Sequence, residues 1–200
     1  MPKLILATNN AHKISEMSAI LNGLDIEILS AKDFSDFPEI EETGETLADN
    51  AILKARAIWK KYHLPAIADD TGLEVDYLDG APGVYSARFA GPGCTYADNN
   101  RKLLSLLDGV PEPQRKARFR TVVAFADTNG EIRAVDGILK GSIATSPQGE
   151  HGFGYDPIFM VESLGKTLAE LSADEKNRIS HRGQAVRNVR PLIVQAFGLA

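Results

Sequence analysis

Short apolar runs alternate with stretches of helical spacing in the first third of the chain. The runs at residues 4–7, 26–29 and 66–68 are each followed by polar residues, which is typical of buried strands. Between them, apolar residues recur every three or four positions, which predicts two amphipathic helices, the second over residues 47–62. The predicted buried faces are Ile14, Met17, Ile20 and Leu21 in the first helix, and Ile52, Ala55, Ile58 and Trp59 in the second.

The middle of the chain adds a hairpin to this alternation. Residues 96–107 have helical spacing, whereas residues 118–126 and 132–139 have the composition of strands. The turn-forming sequence between these strands, Asp127-Thr128-Asn129-Gly130, predicts that they pair as a hairpin. A hairpin argues against a purely parallel sheet, so the predicted fold class is α/β with a mixed sheet.

The last part of the chain returns to helices after one short strand. An apolar strand is predicted at residues 158–161, and helical patterning follows at 167–171 and 181–197. Pro191 is expected to break the last helix, because proline lacks the amide that a helix interior needs. The proline-containing connector at residues 108–114 is the predicted boundary between two lobes of one domain that spans residues 1–200.

Composition and charge exclude several classes of function. The chain has 200 residues, of which 44% are hydrophobic and 24% charged, as in ordinary globular proteins. Its formal net charge of −5 argues against a general nucleic-acid-binding surface, which would be basic. A single cysteine, Cys94, excludes an intrachain disulfide. The first apolar run is too short for a signal peptide or a membrane span, so a cytoplasmic protein is expected.

Two adjacent carboxylates, Asp69 and Asp70, follow the apolar run at residues 66–68. Neighbouring acids at the end of a buried strand need a cation or a proton to compensate their charge. Open α/β sheets bind ligands beyond the carboxyl ends of their strands. The pair therefore predicts a divalent-metal site, in which either Asp69 or Asp70 could act as a base.

Three other polar segments could contribute to the same site. The sequence Thr8-Asn9-Asn10-Ala11-His12-Lys13 precedes the first helix and indicates either an anion site or a helix cap formed by Asn9 or Asn10. An acidic segment, Glu41-Glu42-Thr43-Gly44, precedes the second helix, whose Thr46 and Asp49 resemble a capping box. Near the C-terminus, glycines, aromatics and Asp156 at residues 149–157 are followed by Lys176 and Ser180-His181-Arg182, which suits either a tight turn or the recognition of a base or phosphate.

Taken in order, these segments resemble the motifs of the inosine/xanthosine triphosphate pyrophosphatases. The resemblance extends from residue 3 to about residue 197. Its motifs are Thr8-Asn9-Asn10-Ala11-His12-Lys13, Glu41-Glu42-Thr43-Gly44, Ala68-Asp69-Asp70-Thr71-Gly72-Leu73, Gly83-Val84-Tyr85-Ser86-Ala87-Arg88, Phe153-Gly154-Tyr155-Asp156-Pro157 and Ser180-His181-Arg182-Gly183. Serine is more common in the family where Thr71 stands, and glycine or histidine where Asn9 stands.

The resemblance implies a fold and an activity. The fold would be an elongated mixed central sheet with flanking helices and two lobes around a deep cleft, in a homodimer. The activity would be the Mg²⁺-dependent hydrolysis of noncanonical purine nucleoside triphosphates (ITP, dITP and XTP) to the monophosphate and pyrophosphate. That reaction would remove these nucleotides from the pool, with no role for nucleic acid or membrane.

The resemblance also implies a role for each site residue. Glu42 and Asp70 would bind Mg²⁺, and Asp70 would also accept the proton of the attacking water. The substrate would be bound by Thr8, Asn9, Asn10, Ala11, His12, Lys13, Thr71, Phe153, Gly154, Tyr155, Asp156, Lys176, His181 and Arg182. Two alternatives remain open: a pyrophosphatase for modified pyrimidine or standard triphosphates, and a sensor that binds nucleotides without turnover.

Overall fold

A computed structural model describes residues 1–199, which form five α-helices and eight β-strands. The helices are α1 (Ala11–Leu21), α2 (Leu47–Tyr62), α3 (Tyr96–Leu106), α4 (Ala173–Ile179) and α5 (His181–Phe197). The strands are β1 (Lys3–Leu6), β2 (Glu27–Leu29), β3 (Ala66–Val75), β4 (Pro82–Gly83), β5 (Lys116–Ala126), β6 (Ile132–Ile143), β7 (Phe159–Val161) and β8 (Lys166–Thr167).

All eight strands belong to one mixed sheet, which confirms the predicted fold class. The strand order is β2-β1-β3-β5-β6-β7-β8, with β4 paired to β3. Strand β1 runs parallel to β2 and β3, whereas β4, β7 and β8 are antiparallel to the strands they pair with. The predicted hairpin is formed by β5 and β6, and the amide of Asp127 donates to the carbonyl of Glu131 across its turn.

The chain divides into two compact units, and each has its own hydrophobic core. Unit 1 comprises Met1–Asp70, Thr121–Gly137 and the C-terminal segment from His181, whereas unit 2 comprises Thr71–Arg120 and Ile138–Ser180. The core of unit 1 is built from the inner strands and from α1 and α5, which pack on each other. The core of unit 2 includes Leu73, Leu103, Phe119, Phe159 and Leu168.

Strand β3 is longer than predicted, and the acidic pair lies inside it rather than at its end. Its parallel neighbour β1 ends at Leu6, which is in register with Ile67. Asp69 and Asp70 therefore lie just beyond the carboxyl end of β1, while β3 itself continues to Val75. Because successive side chains of a strand point to opposite faces, the two carboxylates have different surroundings.

Helix α2 has the predicted bounds but a different buried face. Ala55 and Ile58 are buried as expected, whereas Ile52 and Trp59 are only partly buried. The buried face instead includes the polar residues Asn50 and Lys54, together with Leu47 and Ala51. A polar pair on the buried face of a helix needs partners inside the protein, and these are described below.

The C-terminal third also departs from the predicted elements. Helix α5 continues through Pro191, because Val189 and Ile193 on either side are buried in the core of unit 1, and this packing offsets the cost of about 3 kcal/mol for an interior proline. The predicted helical segment at 167–171 is a single 3₁₀ turn, Leu168–Glu170.

The division of the chain into two units does not follow the predicted connector. The connector at 108–114, predicted as a boundary between lobes, lies within unit 2. The division instead falls inside strands, because β3, β5 and β6 each contribute residues to both units.

Among residues 1–199, no helix is both long and apolar enough to cross a bilayer.

Candidate active site

The loop before α1 ends in a helix cap. The side-chain oxygen of Asn10 accepts hydrogen bonds from the amides of His12 (3.0 Å) and Lys13 (3.3 Å), and the Thr8 hydroxyl accepts one from the amide of Asn10 (3.2 Å). The capping interpretation is thus confirmed for Asn10. Asn9, Ala11 and His12 are exposed, so an anion that binds here would reach the loop from solvent.

Lys13 leads from this loop to the first carboxylate of the acidic pair. Its ammonium lies 2.9 Å from Oδ2 of Asp69, and Nε of Arg182 lies 3.2 Å from the same oxygen. The second side of the guanidinium contacts Glu16 of α1, with Nη1 2.6 Å from Oε2. Asp69 and Arg182 are almost completely buried, so this network is shielded from water.

The surrounding cations keep Asp69 ionised. Burial by itself would raise the pKa of Asp69, but the charges of Lys13, Arg182 and Lys54 hold it well below its ordinary value. Burial lowers the pKa of Lys13, and the charge of Asp69 opposes that shift. A carboxylate that two cations hold in the ionised form is a weak proton acceptor.

Asp70 is held by a different set of groups. Its Oδ2 accepts a hydrogen bond from the side-chain amide of Asn50 (3.0 Å), and the Oδ1 of Asn50 accepts one from the amide of Gly44 (2.7 Å). Asn50 therefore connects the acidic loop before α2 to strand β3. This bridge explains how a loop that is 26 residues from Asp70 in sequence reaches it in the fold.

Lys54 connects the same loop and strand one helical turn later. Its ammonium lies 2.5 Å from Oε1 of Glu42 and 4.0 Å from Oδ1 of Asp70, and it donates to the carbonyl oxygen of Asp69 at 2.7 Å. Although burial alone would lower the pKa of Lys54, these acidic neighbours raise it, so the side chain stays charged. One ammonium therefore lies near both carboxylates that the family resemblance implies as metal ligands.

The surroundings of Asp70 favour proton transfer more than those of Asp69. Burial raises the pKa of Asp70, Lys54 opposes this, and the negative charge of Glu42 raises it further. A carboxylate with a raised pKa is a better general base near neutral pH than one with a lowered pKa. The charges around the two residues therefore differ: cations hold the pKa of Asp69 down, whereas burial and the charge of Glu42 raise that of Asp70.

The acidic residues fit Mg²⁺ only in combination with a phosphate. Among residues 1–199, no group of three or more His, Cys, Asp or Glu side chains is placed to hold a metal ion. Mg²⁺ commonly binds to one or two carboxylates and takes its other ligands from water and substrate phosphates. Glu42 and Asp70, both within reach of the Lys54 ammonium, supply that number of carboxylates.

A second polar cluster lies within unit 2. Oδ2 of Asp156 accepts hydrogen bonds from the ammonium of Lys176 (2.6 Å) and from the amide of Phe153 (2.7 Å). The Lys176 ammonium also lies 4.7 Å from the centre of the Phe153 ring, and the centre of the Tyr96 ring lies 6.0 Å from that of Phe153. Asp156 and Lys176 are buried, whereas Phe153 is partly exposed.

The glycines and Tyr155 of residues 149–157 hold this cluster in place. The Tyr155 hydroxyl donates to the carbonyl of Ser86 (2.8 Å), and burial raises its pKa, so it stays neutral. The carbonyl of Gly154 accepts a hydrogen bond from the side chain of Asn100 (3.0 Å). Gly152 has φ +75°, and a Cβ there would lie 2.2 Å from Oδ2 of Asp156. These contacts fix the backbone around Phe153, Asp156 and Lys176, and of these three side chains only that of Phe153 is partly exposed.

The predicted site residues fall into two groups according to the unit that contains them. Unit 1 contains Thr8, Asn9, Asn10, Ala11, His12, Lys13, Glu42, Asp70, His181 and Arg182. Unit 2 contains Thr71, Phe153, Gly154, Tyr155, Asp156 and Lys176. Within unit 1, contacts through Asp69 and Lys54 join Lys13, Glu42, Asp70 and Arg182 into one cluster.

Sequence reasoning missed three members of the unit 1 cluster: Glu16, Asn50 and Lys54. In sequence, each is a polar residue on an amphipathic helix and resembles an ordinary surface position. The available signal was the spacing of Asn50 and Lys54, which are four residues apart and therefore lie on one helix face. No pattern in the sequence indicates that Glu16 reaches Arg182, because these residues are 166 positions apart.

Comparisons with known proteins identify the family of this chain. The sequence model of the Ham1 family matches residues 4–192. A dITP/XTP pyrophosphatase from Thermoanaerobacter sp. (strain X514) is 50% identical over 193 residues, covering 96% of this chain and 97% of the relative.

Solved structures of similar sequence share the fold of this chain. A HAM1 protein from Coxiella burnetii has a TM-score of 0.88 and 43% identity, covering 98% of this chain and all of that one. A nucleoside-triphosphatase / dITP/XTP pyrophosphatase from Mycobacterium abscessus has a TM-score of 0.75 and 41% identity, covering 95% and 98%. With a family match across nearly its whole length and relatives of this similarity, the chain belongs to the Ham1 family.

Proposed function

We propose that this protein hydrolyses the noncanonical purine nucleoside triphosphates ITP, dITP and XTP to the monophosphate and pyrophosphate. Relatives about half identical to it are named dITP/XTP pyrophosphatases. The observation that carries the proposal is the cluster in unit 1, where Glu42 and Asp70 share the ammonium of Lys54 and Lys13 lies beside the acidic pair. In the cell, this activity would remove damaged purine nucleotides from the pool.

The cations of unit 1 would bind the triphosphate. Lys13 and the loop from Thr8 would contact the phosphates, and Lys54 would move from its two carboxylates to a phosphate oxygen. Glu42 and Asp70 would hold Mg²⁺, which when bound neutralises phosphate charge and completes its coordination with phosphate oxygens and water. Because Lys54 lies 2.5 Å from Glu42 and 4.0 Å from Asp70, its ammonium would have to leave these carboxylates before they could hold a metal.

Asp70 would accept the proton of the attacking water. Water adds to one of the two phosphorus atoms that share the bridging oxygen between the α- and β-phosphates, and the bond from that oxygen to the attacked phosphorus breaks. The products are the monophosphate and pyrophosphate, and the proton passes to Oδ1 of Asp70. Asn50 would orient this carboxylate, because its amide donates to Oδ2 and leaves Oδ1 on the Lys54 side.

Residues of the unit 2 cluster would bind the base, with Thr71 as a further substrate contact. The Phe153 ring offers a stacking surface, Lys176 is a donor, and Asp156 an acceptor. Hypoxanthine and xanthine carry a 6-oxo acceptor where adenine carries an amine. A donor that meets the adenine amine would be left unpaired, at a cost of about 1–3 kcal/mol, or roughly ten- to a hundredfold in discrimination. His181 and Arg182 are further candidates for contacts with the base.

Two broader features belong to the same proposal. We propose that the enzyme works as a homodimer, as its family resemblance implies, and that it acts in the cytoplasm, where nucleotide pools are used. Size-exclusion chromatography with light scattering would test the first point: a mass near 43 kDa is twice the chain mass of 21.7 kDa. A mass near that of one chain would contradict it.

A panel of nucleotides tests the activity directly. ITP, dITP, XTP, ATP, GTP and dUTP are each incubated with the protein and Mg²⁺, and monophosphate, pyrophosphate and orthophosphate are quantified. We expect ITP, dITP and XTP to be converted fastest, with pyrophosphate as the first product. Equal rates with ATP and GTP, or faster conversion of dUTP, would favour a different pyrophosphatase, and binding without turnover would favour a nucleotide sensor.

A further inference from the structure

Two cations contact one oxygen of a buried carboxylate in unit 1. Nζ of Lys13 lies 2.9 Å and Nε of Arg182 lies 3.2 Å from Oδ2 of Asp69. The side chain of Asp69 has no exposed surface, and that of Arg182 is 2% exposed, whereas that of Lys13 is 16% exposed. Lys13 is therefore the outer cation of the pair and Arg182 the inner one.

Lys13 has two competing partners in the proposed site, the carboxylate of Asp69 and a phosphate of the substrate. To bind a phosphate, Lys13 must give up part of its contact with Asp69. Without another cation, that exchange would leave a fully buried carboxylate uncompensated, which is strongly unfavourable. The ammonium of Lys54 donates to the backbone carbonyl of Asp69 and to Glu42, and in the proposed reaction it moves to a phosphate itself, so it does not take the place of Lys13 beside the carboxylate.

Arg182 has the geometry to compensate Asp69 after Lys13 has moved. It holds the carboxylate from the inner side, and its Nη1 lies 2.6 Å from Oε2 of Glu16, whose side chain is 13% exposed. The guanidinium is thus fixed at both ends by carboxylates. Glu16, Arg182, Asp69 and Lys13 alternate in sign along this chain of contacts, so their four charges sum to zero.

We infer that Arg182 is a positioning residue, which keeps Asp69 compensated so that Lys13 can move from Asp69 to a phosphate of the substrate. Glu16 holds Arg182 in the required place. This inference rests on the proposed triphosphate site. It adds a role for Arg182 that does not depend on recognition of the nucleobase. It assigns to Arg182 an effect on phosphate binding that acts through Asp69, not through direct contact with the ligand.

A ligand that lacks a nucleobase separates the effect of Arg182 on phosphate binding from any effect on recognition of the nucleobase. Diimidotriphosphate, an inorganic triphosphate that resists hydrolysis, is titrated into the protein in the presence of Mg²⁺ by isothermal calorimetry. The four proteins are the wild type, Arg182→Gln, Asp69→Asn and the double variant. Arg101→Gln is the matched control, because this exposed arginine also pairs with an aspartate, Asp98.

The expected result is strong coupling between the two positions. Arg182→Gln should weaken binding by about tenfold in the wild type and by less than about twofold in the Asp69→Asn background, where no buried carboxylate needs compensation. Arg101→Gln should bind like the wild type. Arg182→Lys, which keeps the charge, should restore most of the affinity.

Three outcomes would overturn the inference. An unchanged affinity in Arg182→Gln would leave Arg182 without a role in phosphate binding. Equal losses in both backgrounds would mean that Arg182 contacts the phosphates directly. If Arg182→Gln does not fold, which circular dichroism would reveal, Glu16→Gln, which releases the other end of Arg182, takes its place: a loss of affinity that Asp69→Asn removes supports the inference, and a loss that persists with Asp69→Asn overturns it.

The proposed function can fail separately. A wild type that does not bind diimidotriphosphate has no triphosphate site, and the inference then falls with the proposed function. A wild type that binds the probe and hydrolyses ITP, but shows additive effects at the two positions, contradicts only the inference.

Discussion

At the scale of single residues, the feature that matters most is the difference between Asp69 and Asp70. They are adjacent on β3 and therefore point to opposite faces of the sheet. Asp69 faces Lys13 and Arg182, whereas Asp70 faces Asn50 and Lys54. One carboxylate thus pairs with two cations, and the other, in the proposed mechanism, accepts a proton.

This difference predicts unequal effects of removing each charge. Asp70→Asn should fold normally and lose at least about a hundredfold in kcat with ITP, because a general base typically contributes 10²–10⁴. The exposed Asp76→Asn is the control and should keep full activity. The measurement is pyrophosphate release together with the thermal unfolding midpoint. A near-wild-type kcat for Asp70→Asn would move the base role to another residue.

A second prediction concerns Arg115, a buried arginine whose contacts are backbone carbonyls. Its guanidinium donates to the carbonyls of Leu107, Ile143 and Ala144 at 2.6–2.8 Å. Arg115→Leu would remove this donor from all three carbonyls, of which that of Leu107 keeps the amide of Val110 (3.1 Å), and each buried unsatisfied group costs about 1–3 kcal/mol. We expect a loss of at least ~2 kcal/mol in the free energy of unfolding, measured by urea denaturation. Arg101→Leu, at an exposed position, should lose less than ~0.5 kcal/mol.

At the scale of elements, helix α2 has a polar buried face that its sequence pattern did not predict. Its bounds were predictable, because Thr46 and Asp49 form the expected capping box and the apolar spacing is helical. Its buried face was not, because Asn50 and Lys54 occupy core-facing positions where apolar residues are expected. Their burial is explained by the partners that they meet, which include the carboxylates of Glu42 and Asp70, and those contacts are tertiary.

The same distinction holds for the other elements and for the site. Short apolar runs located the inner strands, but Asp69 and Asp70 appeared to end β3 because a sequence does not show where a neighbouring strand stops. Pro191 appeared to end α5 because the packing of that helix on α1 is not visible in its local pattern. Motifs identified Lys13 and Glu42, whereas no local pattern indicated Glu16, whose role depends on a residue far along the chain.

One prediction at this scale concerns the contact between β6 and the start of α5. A Cβ on Gly137 would lie 2.2 Å from the carbonyl oxygen of His181 and 2.5 Å from the amide nitrogen of Ala185. Gly137→Ala should therefore displace the first turn of α5, with a loss of about 1–3 kcal/mol in stability. The exposed Ala134→Val on the same strand should be nearly neutral. Equal unfolding midpoints for Gly137→Ala and the wild type would show that α5 can shift at little cost.

At the scale of the whole molecule, the buried charges of unit 1 make stability depend on pH. The pKa of Asp69 is lower in the folded protein than its ordinary value near 3.8. Such a group stabilises the fold fully above its unfolded pKa, and this contribution is lost as the pH falls through the lower folded pKa.

Comparison with Asp69→Asn isolates that contribution. At pH 7 the wild type should exceed the variant by about 3 kcal/mol, because removing one partner of a buried ion pair leaves the others uncompensated. The difference should persist to pH 4 and shrink only below the ordinary aspartate range. Unfolding midpoints measured from pH 7 to pH 2 provide the test. A difference that does not change with pH would mean that Asp69 is not the group responsible.

The division of unit 1 among three segments of the chain has a consequence for its synthesis. A ribosome completes all the residues of unit 2 at Ser180, before it adds the segment that carries Arg182 and the core residues Val186, Val189 and Ile193. Until then, Asp69 lacks its inner cation, and α1 lacks the helix it packs on. We expect a chain that stops at Ser180 to resist proteolysis in unit 2 but not in unit 1. The order of translation would therefore keep a nascent chain inactive until its last helix has folded.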